Sequence, residues 1–214
     1  MKLALIGASG FVGSALLNES LNRGHAVTAI VRHPDKITLI HPNLTVKAGD
    51  VQDADAVARL VAGHDAVLNA FNAGWTNPNL YNDFLNGSKA IEQGTQQAGV
   101  KRLLAVGGAG SLEIAPGVQL VDTPEFPAAY KPGATAARDY LNHLRQNTTL
   151  DWTFLSPAIN LTPGERTGTF RVGTDQPVFD AHGESSISVN DLAVSVLNEI
   201  EEPQFIRQRF TVGY

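Results

Sequence analysis

The chain has 214 residues, 43% apolar and 17% charged, with a net charge of −5. This length and composition favour one domain around one core and exclude a largely disordered chain. The acidic balance offers no attraction to nucleic acid or an anionic membrane, and the absence of cysteine excludes disulfides, thiolate catalysis and cysteine-based metal centres.

In chain order, Lys2–Ile6 is a compact apolar run that reads as a strand. It is too short for a signal segment or a membrane span, which with the missing cysteines predicts a cytoplasmic protein. Val12, Leu16, Leu17 and Leu21 then recur at helical spacing, with Gly24 as a C-terminal stop. Ala26–Val31 reads as the second strand and Leu44–Asp50 as the third, followed by the helix-like stretch DADAVARLVAG. Asp65–Phe71 is a strand, Tyr81–Ala98 a helix, Arg102–Gly108 a strand, Ala134–Gln146 a helix and Trp152–Pro157 a strand. Beyond Pro157 the chain is rich in Gly, Pro and Thr until a last helix, Asn190–Ile200, and a final run, RFTVGY.

Strands that alternate with helices predict a parallel sheet with right-handed crossovers. Their nearly continuous apolar character predicts helices on both faces. The expected fold is therefore an α/β, Rossmann-type doubly wound sheet. Residues 1–214 form one domain, with 157–190 as a small C-terminal cap on the substrate side.

The segment Gly7-Ala8-Ser9-Gly10-Phe11-Val12-Gly13 has the spacing G-x-x-G-x-x-G between a predicted strand and a predicted helix. In that setting Gly7 makes the turn off the strand and Gly10 lets backbone approach a phosphate. Gly13 lets the helix pack closely on the sheet, with a pyrophosphate over its N-terminus. Phe11 and Val12 complete the expected cofactor loop, and Ser9 is placed to add a hydrogen bond to a ribose 2′-phosphate. At the end of the second strand, where an acid would favour NAD, AIVRHP places Arg32, which suits a 2′-phosphate. NADP(H) is thus favoured over NAD(H). The six histidines are scattered without metal-ligand spacing, so no metal site is expected.

GASGFVG, AIVRHP, AGDVQD and ISVNDLA together resemble the atypical short-chain dehydrogenase/reductases that carry an NAD(P)H-binding domain. Within them the chain is similar to the small NmrA-like and biliverdin-reductase-B-like proteins, described as NADH-flavin reductases or epimerase/dehydratase-like proteins. The likeness covers essentially the whole chain. It implies that Asp50 and Val51 lie beside an adenine, and Ala70, Phe71 and Asn72 along the adenosine and ribose. It also implies that Gly107, Ser156 and Pro157 line the nicotinamide end.

The main short-chain reductases pair a Tyr with a Lys four residues later, which lowers the Tyr pKa for proton exchange with substrate. Here Tyr81 is followed at that spacing by Leu85, Tyr130 by Ala134 and Tyr140 by Leu144, and Tyr214 is the last residue. Aligned on Asp139 as in epimerase-like relatives, Thr135 stands where the Lys belongs and Lys131 where the Tyr belongs. Hydride transfer to a flavin or quinone does not require that pair. Ser111 and Tyr130 are the candidate catalytic hydroxyls, with a turn cap and an interface or lid residue as their structural alternatives.

Trp75 and Tyr81 are placed either to stack on a flat acceptor or to pack a loop or dimer contact. His182 reads as exposed rather than as a proton donor, and Asn190 and Asp191 as caps of the last helix. Two functions follow. One is an NADPH-preferring reductase of a small conjugated acceptor such as a flavin or quinone. The other is a non-catalytic NmrA-like NADP(H) sensor acting through a protein partner. An epimerase or dehydratase on a nucleotide sugar is disfavoured by the missing Tyr/Lys pair. Neither nucleic acid nor membrane is an expected partner, and a homo-oligomer is compatible with the chain.

Overall fold

The apolar runs assemble into one sheet. The structure, a computed structural model, describes residues 1–214. Its first half comprises β1 (Lys2–Ile6), α1 (Phe11–Asn22), β2 (Ala26–Val31), β3 (Leu44–Ala48), α2 (Ala54–Val61), β4 (Ala66–Asn69) and α3 (Leu80–Gln97). There follow β5 (Arg102–Val106), a small hairpin of β6 (Glu113–Ala115) and β7 (Val118–Gln119), α4 (Lys131–Leu144) and β8 (Asp151–Ser156). The last third contains β9 (Asn160–Thr162), β10 (Arg171–Gly173), β11 (Ser186–Ser188), α5 (Val189–Glu201) and β12 (Gln208–Gly213).

The main sheet has eight strands in the order β10-β12-β8-β5-β4-β1-β2-β3. All neighbours are parallel except β10, which runs antiparallel to β12. The chain winds outward from β1 through β2 and β3, then returns to add β4 on the other side of β1. This reversal makes the β1/β4 boundary the topological switch point, and the crevice beyond its C-terminal ends is where such sheets bind ligands.

Alternation along the strands explains the continuous apolar runs. Leu3 and Leu5 of β1 enter one core with Leu16 and Leu17 of α1 and Leu192 and Val196 of α5. Ala4 and Ile6 enter the other, with Val57 of α2, Ile91 of α3 and Leu141 of α4. With both faces covered, neither parity of a strand is free to be polar. Gly94 lets α3 approach α2 closely, since a Cβ there would stand 2.6 Å from the Ala54 carbonyl oxygen.

Strands β3, β4 and β5 end two residues before the expected ends, and the start of α4 and the cap of α5 also differ from expectation. Helix α4 begins at Lys131 rather than Ala134, because Pro132 falls in its first turn, where the missing N–H costs nothing. The cap of α5 is Ser188, whose Oγ accepts from the Asp191 N–H at 3.0 Å, not Asn190 or Asp191.

Asp191, fully buried, is instead a clamp. Its carboxylate accepts from Thr167 N (2.8 Å), Gly168 N (2.7 Å), Thr167 Oγ1 (2.6 Å) and the Tyr214 hydroxyl (2.7 Å). Burial pushes this carboxyl up, but those hydrogen bonds outweigh it and hold it below the ordinary aspartate value.

The segment 157–190 is fixed to the same side of the sheet. Arg166 donates to buried Glu19 of α1 at 2.8 and 2.9 Å, and Asn190 donates to the Gly164 carbonyl at 2.6 Å. Arg166, with Arg23, holds the Glu19 carboxyl below its ordinary range against the effect of burial.

Candidate functional site

The loop between β1 and α1 is shaped by its glycines. Gly7 takes φ +80° and donates its N–H to the Ile30 carbonyl at 3.1 Å. A side chain at Gly7 would drive a Cβ to 2.5 Å from the Ala70 carbonyl oxygen. Gly10 N–H closes a tight turn onto the Gly7 carbonyl at 3.0 Å. Gly10 also occupies the N-cap of α1, with no side-chain cap and no acid in the first turn. The first N–H groups of α1 are therefore left without a side-chain acceptor, at the positive end of the helix dipole. Gly13 differs in detail from expectation. Its close contact is with the turn, where a Cβ would lie 2.0 Å from the Gly7 oxygen, and not with the sheet.

A cavity of about 530 Å³ opens over this loop at the switch point. Gly7, Ser9 and Gly10 line one side, and Arg32 lines the end of β2. Asp50 and Val51 follow β3, and Ala70, Phe71 and Asn72 follow β4, all on the same cavity. Nine of the residues singled out from the sequence thus converge on one space. Phe71 is seated by Gly87 of α3, where a Cβ would stand 2.6 Å from its ring, and it stacks on Phe84 with centroids 6.0 Å apart.

The cavity also includes residues that sequence reasoning missed. His33 and Lys36 join Arg32, because Pro34 opens a short turn, Pro34–Lys36, that folds the chain back. None of these three forms an ion pair within the protein. The signal for Lys36 was the His-Pro step after the strand. Asn77 also lines the cavity and donates to Asp83 at 2.8 Å, a pairing with no local signature.

Other expected residues lie elsewhere. Phe11, Val12 and Gly13 form the first turn of α1, where their backbone N–H groups are the uncapped ones, but they are not among the residues that line the cavity, and Phe11 is half exposed. Gly107 is beneath Phe154, with no room for a side chain because a Cβ would meet that ring at 1.9 Å. Ser156 and Pro157 are buried and likewise do not line the cavity. No residue of the segment 157–190 lines it either.

Ser111 is 1% exposed, and Arg209 donates to its carbonyl at 2.7 Å and its hydroxyl at 3.2 Å. Its side chain is part of the interior, which corrects the reading of Ser111 as a free catalytic hydroxyl. Tyr130 is exposed and meets Trp75 edge to face. Tyr81 donates to Asp139 of α4 at 2.7 Å, so it joins α3 to α4, and that hydrogen bond pushes its phenol above the ordinary tyrosine value. His182 is exposed in a turn where its backbone N–H donates to Asp180 at 2.8 Å. No group of three or more metal-ligating side chains occurs, and no helix is long and apolar enough to cross a membrane.

Comparison with known proteins places this geometry. Residues 7–203 match the NAD(P)H-binding family. The Bacillus subtilis protein YwnB is 40% identical over 215 residues, covering 99% of this chain and 98% of YwnB. A solved structure of a candidate epimerase from Bacteroides thetaiotaomicron is 48% identical, with TM-score 0.93, covering 100% of this chain and 96% of that one. A candidate NADH-flavin reductase from Streptococcus pneumoniae is 36% identical, with TM-score 0.86, covering 100% and 99%. The chain has a switch-point crevice, an uncapped α1 N-terminus and glycines without room for side chains, and it belongs to the NAD(P)H-binding family of atypical short-chain dehydrogenase/reductases.

Proposed function

We propose that this protein is an NAD(P)H-dependent reductase that prefers NADPH and reduces a small conjugated acceptor such as a flavin or quinone. The observation that carries the cofactor preference is the group of three unpaired basic side chains, Arg32, His33 and Lys36, on the cavity wall at the end of β2. No carboxylate takes the place of Arg32 there to accept from a ribose 2′-hydroxyl. A dinucleotide fits the donor set. The free N–H groups at the start of α1, with Gly7 and Gly10 beside them, would hold the pyrophosphate, and Asp50, Val51 and Phe71 would flank the adenosine.

A nicotinamide cofactor held there would supply a hydride, and a flavin or quinone would need only a proton from water besides. The protein's own part is to orient the two ligands and exclude side reactions. No Tyr-x3-Lys pair is available, since Lys131 and Thr135 occupy the corresponding turn of α4. A flavin or quinone suits this site because its reduction needs no phenol donor. The Streptococcus pneumoniae relative described as a candidate NADH-flavin reductase supports the same acceptor class.

Purified protein mixed with NADPH and a panel of flavins, quinones and enals tests the reading through loss of absorbance at the reduced nicotinamide band. Tight NADPH binding without oxidation by any acceptor overturns it. The missing Tyr/Lys pair favours that outcome's alternative, an NADP(H) sensor without turnover. Such a sensor would retain a protein partner differently in the NADP- and NADPH-bound states.

A further inference from the structure

Two large aromatic side chains stand in water on the ligand side of the sheet, and they touch. Trp75 is 58% exposed and Tyr130 54% exposed. Their rings meet edge to face, with centroids 5.4 Å apart and planes at 83°. Trp75 belongs to the loop that leaves the C-terminal end of β4, and Tyr130 to the connection from β5 to α4. Connections from these strand ends are where doubly wound sheets build their ligand sites.

The loop that carries Trp75 is held from within. Asn72 Oδ1 accepts from the Gly74 N–H at 2.7 Å, and Gly74 turns the chain at φ +99°. Asn77 donates to the Ala73 carbonyl at 3.3 Å and to Asp83 at 2.8 Å. The same Asn72, Ala73 and Asn77 line the cofactor cavity, so the indole stands on the loop that borders that cavity, beside the lining rather than in it. Beneath it, α4 keeps a seat open at Gly133. A Cβ there would stand 2.9 Å from Trp75 Cζ3 and 3.3 Å from Cη2. An exposed tryptophan held this way has given up rotamer freedom without removing its apolar area from water. A ligand lying on it removes that area.

Building on the reductase reading above, we propose that Trp75 and Tyr130 form the acceptor subsite. Two rings set nearly at right angles make a corner that takes a planar, electron-poor ring by stacking. The chemistry agrees on both sides. A hydride acceptor must be electron-poor, and indole and phenol rings present electron-rich faces. The alternative occupant is a second copy of this chain, with the aromatic pair as a dimer contact.

The test compares wild type with Trp75→Ala, Trp75→Phe and Tyr130→Ala, using flavin mononucleotide and a naphthoquinone as acceptors. Trp75→Ala raises the acceptor KM at least tenfold, Tyr130→Ala raises it less, and Trp75→Phe restores most of the loss. The Kd for NADPH stays within twofold in all three. With NADP in place of NADPH, so that nothing turns over, the naphthoquinone quenches wild-type tryptophan emission saturably. The quench disappears in Trp75→Phe, because the one other tryptophan, Trp152, is 2% exposed.

Unchanged acceptor KM in the alanine variants of an active enzyme overturns the subsite and leaves the reductase reading intact. Wild-type protein that never oxidises NADPH overturns the reductase reading, and the quenching experiment then decides the subsite by itself. A change of oligomeric state in Trp75→Ala, seen by sedimentation, overturns the subsite in favour of the dimer contact.

Discussion

Alanine at Gly13 and, separately, at Gly10 distinguishes two tasks within one motif. A Cβ on Gly13 would lie 2.0 Å from the Gly7 oxygen, 2.7 Å from the Gly7 carbonyl carbon and 2.9 Å from Ala8 Cα. All three are backbone atoms, so no side chain can swing aside. Restoring an ordinary contact of roughly 3.5 Å requires α1 and the turn to separate by about 1.5 Å. Overpacking of this kind costs about 1–3 kcal/mol, against a helix-propensity gain of at most about 1 kcal/mol. A net loss of about 2 kcal/mol lowers the melting temperature by roughly 4–8 °C for a chain of this size.

Gly10 is different. Its φ of −82° is open to any residue, and a Cβ there meets only the Gly7 oxygen, at 3.3 Å. Gly10→Ala should therefore leave apo stability within about 0.5 kcal/mol, the cost of exchanging glycine for alanine at an N-cap. It adds a methyl group on the cavity lining, where backbone should approach the phosphates. NADPH affinity should fall at least tenfold, about 1.4 kcal/mol. Urea unfolding of the apo proteins and fluorescence titration with NADPH read the two effects independently. Equal apo stability losses in the two variants would refute the reasoning, as would an unchanged NADPH Kd in Gly10→Ala.

Arg32→Ala should weaken NADPH at least tenfold while leaving NADH within threefold, and Lys36→Ala should act in the same direction less strongly; an unchanged NADPH/NADH ratio in titrations of both variants removes the assigned preference. Asp191→Asn puts an amide against donors that need a carboxylate and should cost about 3 kcal/mol in urea unfolding. Because the Asp191 carboxyl is held below its ordinary value of 3.8, its contribution is complete above that pH and is lost as pH falls through the depressed value. Wild-type stability should thus fall more steeply below about pH 4 than that of Asp191→Asn. Tyr81→Phe removes one part-buried hydrogen bond to Asp139 and should cost about 1 kcal/mol or less, with acceptor KM unchanged, in contrast to Trp75→Ala.

Much of the fold was legible because its causes are local. Lys2–Ile6 and Ala26–Val31 read as strands and are strands, since both their faces are covered and, Lys2 and Thr28 apart, their positions are apolar. The glycine loop was legible for a related reason. A φ of +80° at Gly7 and the absence of room at Gly13 restrict residue type whatever happens elsewhere. The stretch after Pro157 showed only short strand-like pieces, and β9, β10 and β11 could not be delimited there because three residues each cannot express a period. The start of α4 was obscured by a proline that reads as a breaker but is tolerated in a first turn.

The side chains around the site depended on distant partners. Ser111 follows a strand end and looks available, yet Arg209, 98 residues away in sequence, engages its hydroxyl. Tyr81 looks free to stack until its hydroxyl donates a hydrogen bond to Asp139 across the α3–α4 contact. Trp75 and Tyr130, 55 positions apart, meet only because two strand ends lie side by side. Hydrophobic periodicity and backbone sterics act over a few residues, so the sequence alone determined the doubly wound sheet and the glycine loop between β1 and α1. Burial and hydrogen-bond partnership are settled between segments far apart in the chain, so only the tertiary structure decided which side chains share the cavity, which clamp the fold and which remain free to meet a ligand.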